Sequence, residues 1–157
     1  MQVFIPYPNI KRSVQSLDYR RLGKQRVECL QILNALEYRK ANNLFKENGK
    51  KRGWLNHKCT IMWVGKEQFL RLYAIACCDE WKARGYTDNL MPRFAAQFAE
   101  SSQFPFVPEW WGNEALHKSH RSMLVQKEPA FYSQTFTDYD SDNPKYVWVV
   151  PNGVHHV

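Results

Sequence analysis

The chain has 157 residues, enough for one domain with a hydrophobic core, and its 44% hydrophobic and 15% aromatic content excludes an intrinsically disordered chain. Its 22 Lys and Arg against 15 Asp and Glu give a formal net charge of +7, which favours an anionic partner, with nucleic acid as the first candidate. No run of about 18 apolar residues is present, so no membrane span is predicted. Four cysteines without CxxC spacing are expected to be reduced core thiols of a cytosolic protein.

The first predicted element is an extended arm, MQVFIPYP, because Pro6 and Pro8 interrupt a short apolar run. Residues 16–44 then have helical periodicity. The face expected to be buried carries Leu22, Cys29, Leu33 and Leu36. Residues 46–53, KENGKKRG, predict a basic turn after this helix.

A second helical region is predicted over residues 60–84, with an interruption at Gly65 and a stop at Gly85. A shorter helix is expected over residues 89–100. A further helix is expected to start after the capping residue Asn113 and to end before Pro129.

The carboxy-terminal tail, YVWVVPNGVHHV, is β-like in composition, and the short N-terminal arm is its one obvious pairing partner. The fold class predicted by these patterns is mainly α. The chain is expected to form a single compact helical domain, residues 1–157, with short extended N- and C-terminal segments.

The polar side of the first long helix carries a row of charges opposite the leucines. Arg20, Lys24 and Glu28 are successive i, i+4 neighbours, and Gln31 lies on the same side. One interpretation is a solvated face with a Lys24–Glu28 ion pair worth about 0.3–0.5 kcal/mol. The other is a phosphate-binding ridge with an embedded general acid or base. This pattern by itself leaves both interpretations open.

A second basic helix is predicted by NEALHKSHRSMLVQKEP, residues 113–129. His117 and Arg121, one turn apart, are expected on its outer face, either as solvent-exposed residues or as phosphate contacts. His120 falls on the apolar face and is expected to be a hydrogen-bonded core histidine. Two basic helical faces and the basic turn together favour an electrostatic groove for nucleic acid.

The order of these motifs resembles the pyrimidine-dimer DNA glycosylase/AP lyase family, of the phage endonuclease V type. The arm MQVF is followed by a helix of the form LD…RL…E and then by the segment WLNHKCTIMWVGKEQFLRLYAIACCDEWKARGY, residues 54–86. The last motif has the form H…KxPxxY and comprises His117, Lys127, Pro129 and Tyr132. The strings LGKQRVE and HKSHRS are most similar to bacterial and phage proteins grouped with this family.

The resemblance implies a bifunctional, metal-independent enzyme without a cofactor. In the family, the α-amine attacks C1′ of the damaged nucleotide, expels the base and forms an imine, and β-elimination then cuts the strand. An α-amine suits this role because its ordinary pKa of about 7.7–8.0 leaves much of it unprotonated at neutral pH. By position, the nucleophile is the amine of Met1. The carboxylate that stabilises the charged sugar and moves protons is Glu28.

The resemblance also implies a set of DNA contacts, with phosphates held by basic side chains and His57 near the sugar or the opened strand. The residues expected to contact DNA are Arg20, Arg21, Lys24, Gln31, His57, His117, Arg121 and Lys127. Two positions depart from the family. Val27 stands where an arginine precedes the family's glutamate, and Gln2 is expected to leave Met1 in place, whereas the best-known members expose a small processed residue.

The leading hypothesis is therefore a DNA-repair enzyme that excises damaged or modified pyrimidines. One alternative is a non-catalytic nucleic-acid-binding module with the same groove. Another is a glycosylase on the same scaffold that acts on a modified phage base. The expected partner is damaged or modified duplex DNA, bound by a monomer in the cytoplasm of a bacterium or of a phage-infected host cell, without a membrane.

Overall fold

The computed structural model describes residues 2–42, 53–150 and 153–156. Helices dominate this part of the chain, as the sequence predicted, and the prediction of a mainly α fold is confirmed. The elements are α1 (Ile10–Ser16), α2 (Tyr19–Ala41), a 3₁₀ turn (Gly53–Asn56), α3 (Lys58–Ile61), α4 (Glu67–Ala83), α5 (Met91–Glu100), α6 (Glu114–Lys127), α7 (Pro129–Thr135), β1 (Val147–Val150) and β2 (Gly153–His156). Residues 46–52 of the predicted basic turn lie outside the described residues.

The amino-terminal third contains two helices rather than the single one predicted over residues 16–44. The side chain of Asn9 accepts a hydrogen bond of 2.8 Å from the backbone of Arg12 and so caps α1, a short helix that the sequence analysis missed. The backbone is extended at Leu17 and Asp18, and α2 begins only after them. The Tyr132 hydroxyl on α7 accepts a hydrogen bond of 3.0 Å from the Asp18 N–H, which fixes this junction.

The core is built around the pairing of α2 with α4. The predicted apolar face of α2 is buried, with Leu22, Cys29, Leu33 and Leu36 each at most 4% exposed. The predicted interruption and stop of the second helical region are confirmed, because Gly65 and Gly85 have φ angles of 77° and 92°. The capped start of α6 is confirmed as well, since the Asn113 side chain accepts a hydrogen bond from the Leu116 N–H.

The N-terminal arm, residues 2–6, is extended as predicted, but it runs through the interior rather than over the surface. Val3 and Ile5 belong to the same hydrophobic core as α2, α4 and α6. Because an extended segment without a sheet leaves its backbone polar groups unpaired, side chains from the surrounding helices have to supply their partners. Those side chains define the candidate site.

The carboxy-terminal tail pairs with itself. Strands β1 and β2 form an antiparallel hairpin whose backbone register pairs Trp148 with His155. The expectation that the N-terminal arm is the partner of this tail is therefore wrong. The hairpin is joined to α6 instead, because the Val147 N–H donates a hydrogen bond of 3.0 Å to the Ser119 hydroxyl.

Candidate active site

The exposed side of α2 forms one wall of an open groove of about 530 Å³. The residues that line it are Tyr19, Arg20, Gly23, Lys24, Val27, Glu28, Gln31 and Trp81. Four of them, Arg20, Lys24, Glu28 and Gln31, are the residues that the sequence placed on one polar side. The structure brings these four together around a solvent-open space.

Glu28 is the one acid of this groove, and it is only partly exposed. Its Oε2 accepts a hydrogen bond of 2.8 Å from Nε2 of Gln25, one turn earlier on α2. Gln25 is 1% exposed, and the sequence analysis did not identify it. The carboxylate is therefore fixed on its inner side, while its outer side borders the groove.

Gln25 also binds the backbone of the N-terminal arm. Its Nε2 donates a second hydrogen bond of 2.8 Å to the Gln2 carbonyl, and its Oε1 accepts one of 2.7 Å from the Phe4 N–H. The same amide thus links Glu28 to the start of the arm. Met1 lies outside the described residues, but it is bonded to Gln2, and consecutive Cα atoms are about 3.8 Å apart.

The pKa of Glu28 is raised above its ordinary value, chiefly because the side chain is partly buried. The positive charge of the amino terminus and that of Lys24 act in the opposite direction, as do the hydrogen bonds from Gln2 and Gln25. A carboxyl group whose pKa lies above the usual range can both hold and release a proton closer to neutral pH, which is what proton transfer requires.

His57 lies at the start of α3, the helix that contacts the N-terminal arm where the Val3 N–H donates to the Cys59 sulfur. Its Nδ1 accepts a hydrogen bond of 3.1 Å from the Cys59 N–H and so caps this short helix. Its ring contacts the edge of Trp148, with centroids 6.0 Å apart. Burial lowers the pKa of His57, and the charge of the amino terminus lowers it further, so the imidazole is predominantly neutral at pH 7.

Helix α6 differs from its predicted orientation. His117 and Arg121 were expected on its outer face, but they are 0% and 3% exposed, so that prediction is wrong. The physical reason is the N-terminal arm, whose Ile5 and Pro6 carbonyls bind His117 and Arg121, so that the arm covers the side of α6 that carries them. His120 is a buried, hydrogen-bonded histidine, as expected.

The two α6 histidines bind the arm at one residue. Nδ1 of His117 lies 2.7 Å from the Ile5 carbonyl, and Nδ1 of His120 accepts a hydrogen bond of 3.0 Å from the Ile5 N–H. His117 therefore carries its proton on Nδ1, and its Nε2 accepts a hydrogen bond of 3.0 Å from the Gly112 N–H. His120 carries its proton on Nε2. Burial lowers the pKa of both rings, that of His120 to about 3, which keeps them neutral.

Arg121 extends this anchorage to the next residue of the arm. Its guanidinium donates hydrogen bonds of 2.7 Å to the Pro6 carbonyl and 2.8 Å to the Asp138 carbonyl, and it forms an ion pair with Glu114. These contacts occupy the guanidinium inside the protein. The structure therefore gives Arg121 and His117 a structural task and does not support the expected contacts with phosphate.

The remaining cations that were predicted to contact DNA differ in how exposed they are to solvent. Arg20, Lys24 and Lys127 are exposed. Nε of Arg20 donates a hydrogen bond of 3.0 Å to the Tyr19 hydroxyl. Arg21 is more enclosed, because it forms ion pairs of 3.3 Å with Asp18 and 3.5 Å with Glu128.

Four residues around this groove were not predicted from the sequence: Gln25, Tyr19, Trp81 and Tyr86. Gln25 lies three residues before Glu28, and this spacing predicts contact on a helix, but its burial depends on the arm. Tyr19 lies on α2, Trp81 on α4 and Tyr86 in the segment after α4, so no local pattern joins the three aromatic residues. In the described part of the chain, no cluster of three His, Cys, Asp or Glu side chains could hold a metal ion.

A groove lined by exposed cations is the electrostatic feature of the class of proteins that act on nucleic acids. The family model described as pyrimidine dimer DNA glycosylase matches residues 1–92. Because the match covers more than half of the 157 residues, the chain belongs to the pyrimidine dimer DNA glycosylase family. Membership in this family implies a DNA-repair glycosylase with DNA as its substrate.

The matched residues contain α1 to α4, including Glu28 and His57, whereas α6 and Lys127 lie beyond them. Comparisons with curated proteins and with solved structures found no match. Among the described residues, no helix combines the length and the apolar character needed to cross a membrane.

Proposed function

We propose that this protein is a bifunctional DNA glycosylase/AP lyase that excises damaged or modified pyrimidines through an imine with the amine of Met1. One observation carries the proposal: Nε2 of Gln25 donates hydrogen bonds of 2.8 Å to both the Glu28 carboxylate and the Gln2 carbonyl. The backbone of Gln2 therefore lies beside the one acid among the residues that line the groove. Amine and carboxylate are the two groups that the reaction needs.

The reaction begins when the unprotonated amine attacks C1′ of the target nucleotide. The C1′–N bond breaks, the base leaves with its electron pair, and loss of a proton from nitrogen together with opening of the sugar gives the imine. Removal of a C2′ proton then breaks the C3′–O bond, which cuts the strand by β-elimination. Glu28 stabilises the positive charge on the sugar and moves the protons, and its raised pKa suits both tasks.

The proposed phosphate contacts are the exposed cations of the groove, Arg20 and Lys24, together with Lys127 after α6. Arg21 belongs to the same proposed DNA-binding surface, where its ion pairs fix its position. The exposed amide of Gln31 also lines the groove. His57, whose Nδ1 accepts the hydrogen bond from the Cys59 N–H, is proposed to lie near the sugar or the opened strand. The enzyme is proposed to act as a monomer in the cytoplasm.

Val27 bears on which base is removed. It is 44% exposed and lines the groove, at the position where the family has an arginine. An apolar side chain there offers no hydrogen bond or charge to the target nucleotide. This departure removes a phosphate or base contact, and the glycosylase that acts on a modified phage base is therefore kept as the second candidate.

Borohydride trapping tests the proposal directly. Protein whose first residue is verified as an unblocked Met1 is incubated with an abasic-site duplex, a pyrimidine-dimer duplex and an undamaged duplex, and the adduct is mapped by mass spectrometry. An adduct on the Met1 amine, lost in a chain acetylated at that amine, supports the proposal. An adduct on a lysine such as Lys24 overturns the assigned nucleophile, and no adduct on any duplex overturns the reaction class.

A matched variant separates catalysis from binding alone. Glu28→Gln keeps the size and the hydrogen bond to Gln25 but removes the charge. The enzyme is expected to lose strand cleavage on the order of 10²-fold or more while it retains DNA binding. A non-catalytic binding module would show no cleavage in either form, and this result would replace the proposal.

A further inference from the structure

Three neighbouring apolar side chains between α5 and α6 are largely exposed to solvent. Phe104, Phe106 and Val107 are 65%, 64% and 58% exposed. The two phenylalanine rings contact each other, with centroids 4.6 Å apart. Apolar surface concentrated in this way typically marks an interaction site. We call these three residues the phenylalanine patch, and they lie beyond the residues that match the family model.

The segment that carries the phenylalanine patch is fixed at both ends. Before it, the Gln103 side chain accepts a hydrogen bond of 3.0 Å from the Gln68 N–H. After it, Trp110 is 6% exposed, and its Nε1 donates a hydrogen bond of 3.2 Å to the Met62 carbonyl. Pro105 restricts the backbone between the two rings. Because the rings are already held in place, they lose little conformational entropy when a partner covers them.

Three carboxylates border the phenylalanine patch. Glu100 at the end of α5 and Glu109 after the patch are both exposed. Glu67 accepts a hydrogen bond of 3.0 Å from Gln103, the residue before the patch. The neighbouring cation, Lys66, is bound to Glu109 in an ion pair of 2.9 Å. The border is therefore acidic in a chain whose net charge is +7, and a basic partner surface is complementary to it.

The groove along α2 is such a surface. Arg20 and Lys24 supply exposed cations, and Glu28 is the one acid among the residues that line it. Tyr19 and Val27 add apolar side chains that are 51% and 44% exposed. The groove thus combines positive charge with apolar surface, as a complement to the acidic border and the phenylalanine rings.

The phenylalanine patch does not reach the groove of its own molecule. Helix α4 begins with Glu67, which borders the patch, and Trp81 near its other end lines the groove. A rise of about 1.5 Å per residue separates these two positions by about 21 Å. Because the segment that carries the patch is fixed at both ends, a contact between the two surfaces joins two molecules.

We propose that the phenylalanine patch of one molecule docks into the α2 groove of a second copy of this chain, and that DNA displaces it. The displacement by DNA rests on the proposed function, whereas the self-association rests on the two surfaces alone. Since the patch and the groove are different surfaces, the contact is head-to-tail and does not close into a symmetric dimer.

The contact is weak because the patch is small. Three side chains bury much less than the roughly 800 Å² per partner of a stable interface. A dissociation constant on the order of 10–100 µM is expected, which corresponds to about −5.5 to −7 kcal/mol. The concentrated, DNA-free protein therefore holds part of its grooves covered, and the DNA-bound protein is monomeric.

Sedimentation velocity tests the self-association over a range from about 5 µM to about 500 µM, which brackets the expected dissociation constant. The weight-average mass of the wild type is expected to rise with concentration. Phe104→Ala and Phe106→Ala should each weaken the association about tenfold or more, as for an anchor residue of an interface. Phe131→Ala is the matched control, because Phe131 is 43% exposed on α7 and belongs to neither surface. A wild type that stays monomeric, or an equal loss in Phe131→Ala, overturns the inference.

A mixing experiment tests which two surfaces meet. Phe104→Ala lacks the patch and keeps the groove, whereas Arg20→Glu keeps the patch and reverses one charge of the groove. Each variant alone should be monomeric, and an equimolar mixture should form a one-to-one complex that cannot extend. If the mixture stays monomeric, or if Arg20→Glu alone associates like the wild type, the contact is not between patch and groove and the inference is overturned.

Competition separates this inference from the proposed function. A duplex with a non-reactive abasic analogue, added in excess, is expected to return the wild type to one protein per duplex. Association that persists on saturating duplex overturns the docking in the groove. If the protein forms the borohydride adduct but does not self-associate, the inference fails and the proposed function stands. If the mixed variants associate but no duplex gives an adduct, the proposed reaction fails and the docking stands.

Discussion

Gln25 and Glu28 are three residues apart on α2, and Nε2 of the glutamine donates a hydrogen bond of 2.8 Å to Oε2 of the glutamate. Because the same nitrogen also binds the Gln2 carbonyl, one buried amide sets the position of the acid and of the arm that carries the amine. We therefore regard Gln25 as a positioning residue, and substitutions there test the site without touching the proposed substrate contacts.

Gln25→Leu removes all three hydrogen bonds of the side chain. The Phe4 N–H and the Gln2 carbonyl would lose their partner in the interior, at a cost of about 1–3 kcal/mol each in the free energy of unfolding. Urea unfolding measures this loss. Gln15→Leu is the control, because Gln15 is exposed, and it should change the unfolding free energy by less than about 0.5 kcal/mol.

Gln25→Glu separates positioning from stability. The new carboxylate can still accept from the Phe4 N–H, but it cannot donate to Glu28, and it places a second negative charge beside it. The pKa of Glu28 should rise further. If cleavage requires the ionised form of Glu28, the acidic limb of the pH–rate profile moves to higher pH in this variant. A lower rate with an unchanged profile would show that Gln25 acts only through stability.

Glu28→Gln should uncouple stability from activity. The pKa of Glu28 is raised in the folded protein, so its contribution to stability is fully present below the unfolded pKa and is lost as pH rises through the folded pKa. The wild type therefore carries the full burial penalty at pH 7, and the variant does not. Thermal unfolding should show a larger gain for Glu28→Gln at pH 7 than at pH 4. A gain that grows toward pH 4 would contradict the assigned direction of the shift.

The parts of the fold that the sequence predicted depend on local chemistry. Asn113 can cap a helix because its side chain reaches the backbone three residues later, and Gly65 and Gly85 end helical turns because they adopt positive φ. Helix α1 was missed because seven residues with two aliphatic side chains, Ile10 and Val14, give too little periodicity.

In the candidate site too, local spacing predicts some features and not others. The side of α2 that carries Arg20, Lys24, Glu28 and Gln31 follows from helical spacing, and the groove confirms that they lie together. The burial of the side of α6 that carries His117 and Arg121 does not follow from spacing, because a helix's own periodicity does not show which segment of the chain packs against that side. The arm covers it, and this contact joins residues more than 110 positions apart, such as Ile5 and His117.

The salt dependence of DNA binding should distinguish exposed from buried cations. Arg20→Ala and Lys24→Ala are each expected to reduce the slope of log K against log[salt] by about 1, because each removes one phosphate contact. Arg121→Gln should leave the slope unchanged, since the guanidinium is bound to the Pro6 and Asp138 carbonyls. It should instead lower the unfolding free energy, by up to about 3–5 kcal/mol. A slope reduced by about 1 in Arg121→Gln would mean that this side chain does reach the DNA.

The neutral histidines that hold the arm predict an acid-sensitive fold. The pKa of His120 is lowered to about 3 by burial, and that of His117 is lowered in the same direction. The stability from such a group is present above the unfolded pKa of about 6.5 and is lost as pH falls toward the folded pKa. Between pH 6.5 and 4.5, the His120 ring should reduce the unfolding free energy by up to about 1.4 kcal/mol per pH unit, and His117 acts in the same direction.

His120→Asn isolates one of these rings. The asparagine oxygen can accept from the Ile5 N–H in place of Nδ1, but it does not titrate. The variant is expected to be less stable than the wild type at pH 7, because the smaller side chain leaves a cavity, and to lose stability more slowly as pH falls. Urea unfolding at half-unit steps from pH 7 to 4.5 measures both effects. Parallel curves for the two proteins would show that His120 does not take up its proton on unfolding, and the acid limb would then belong to other groups.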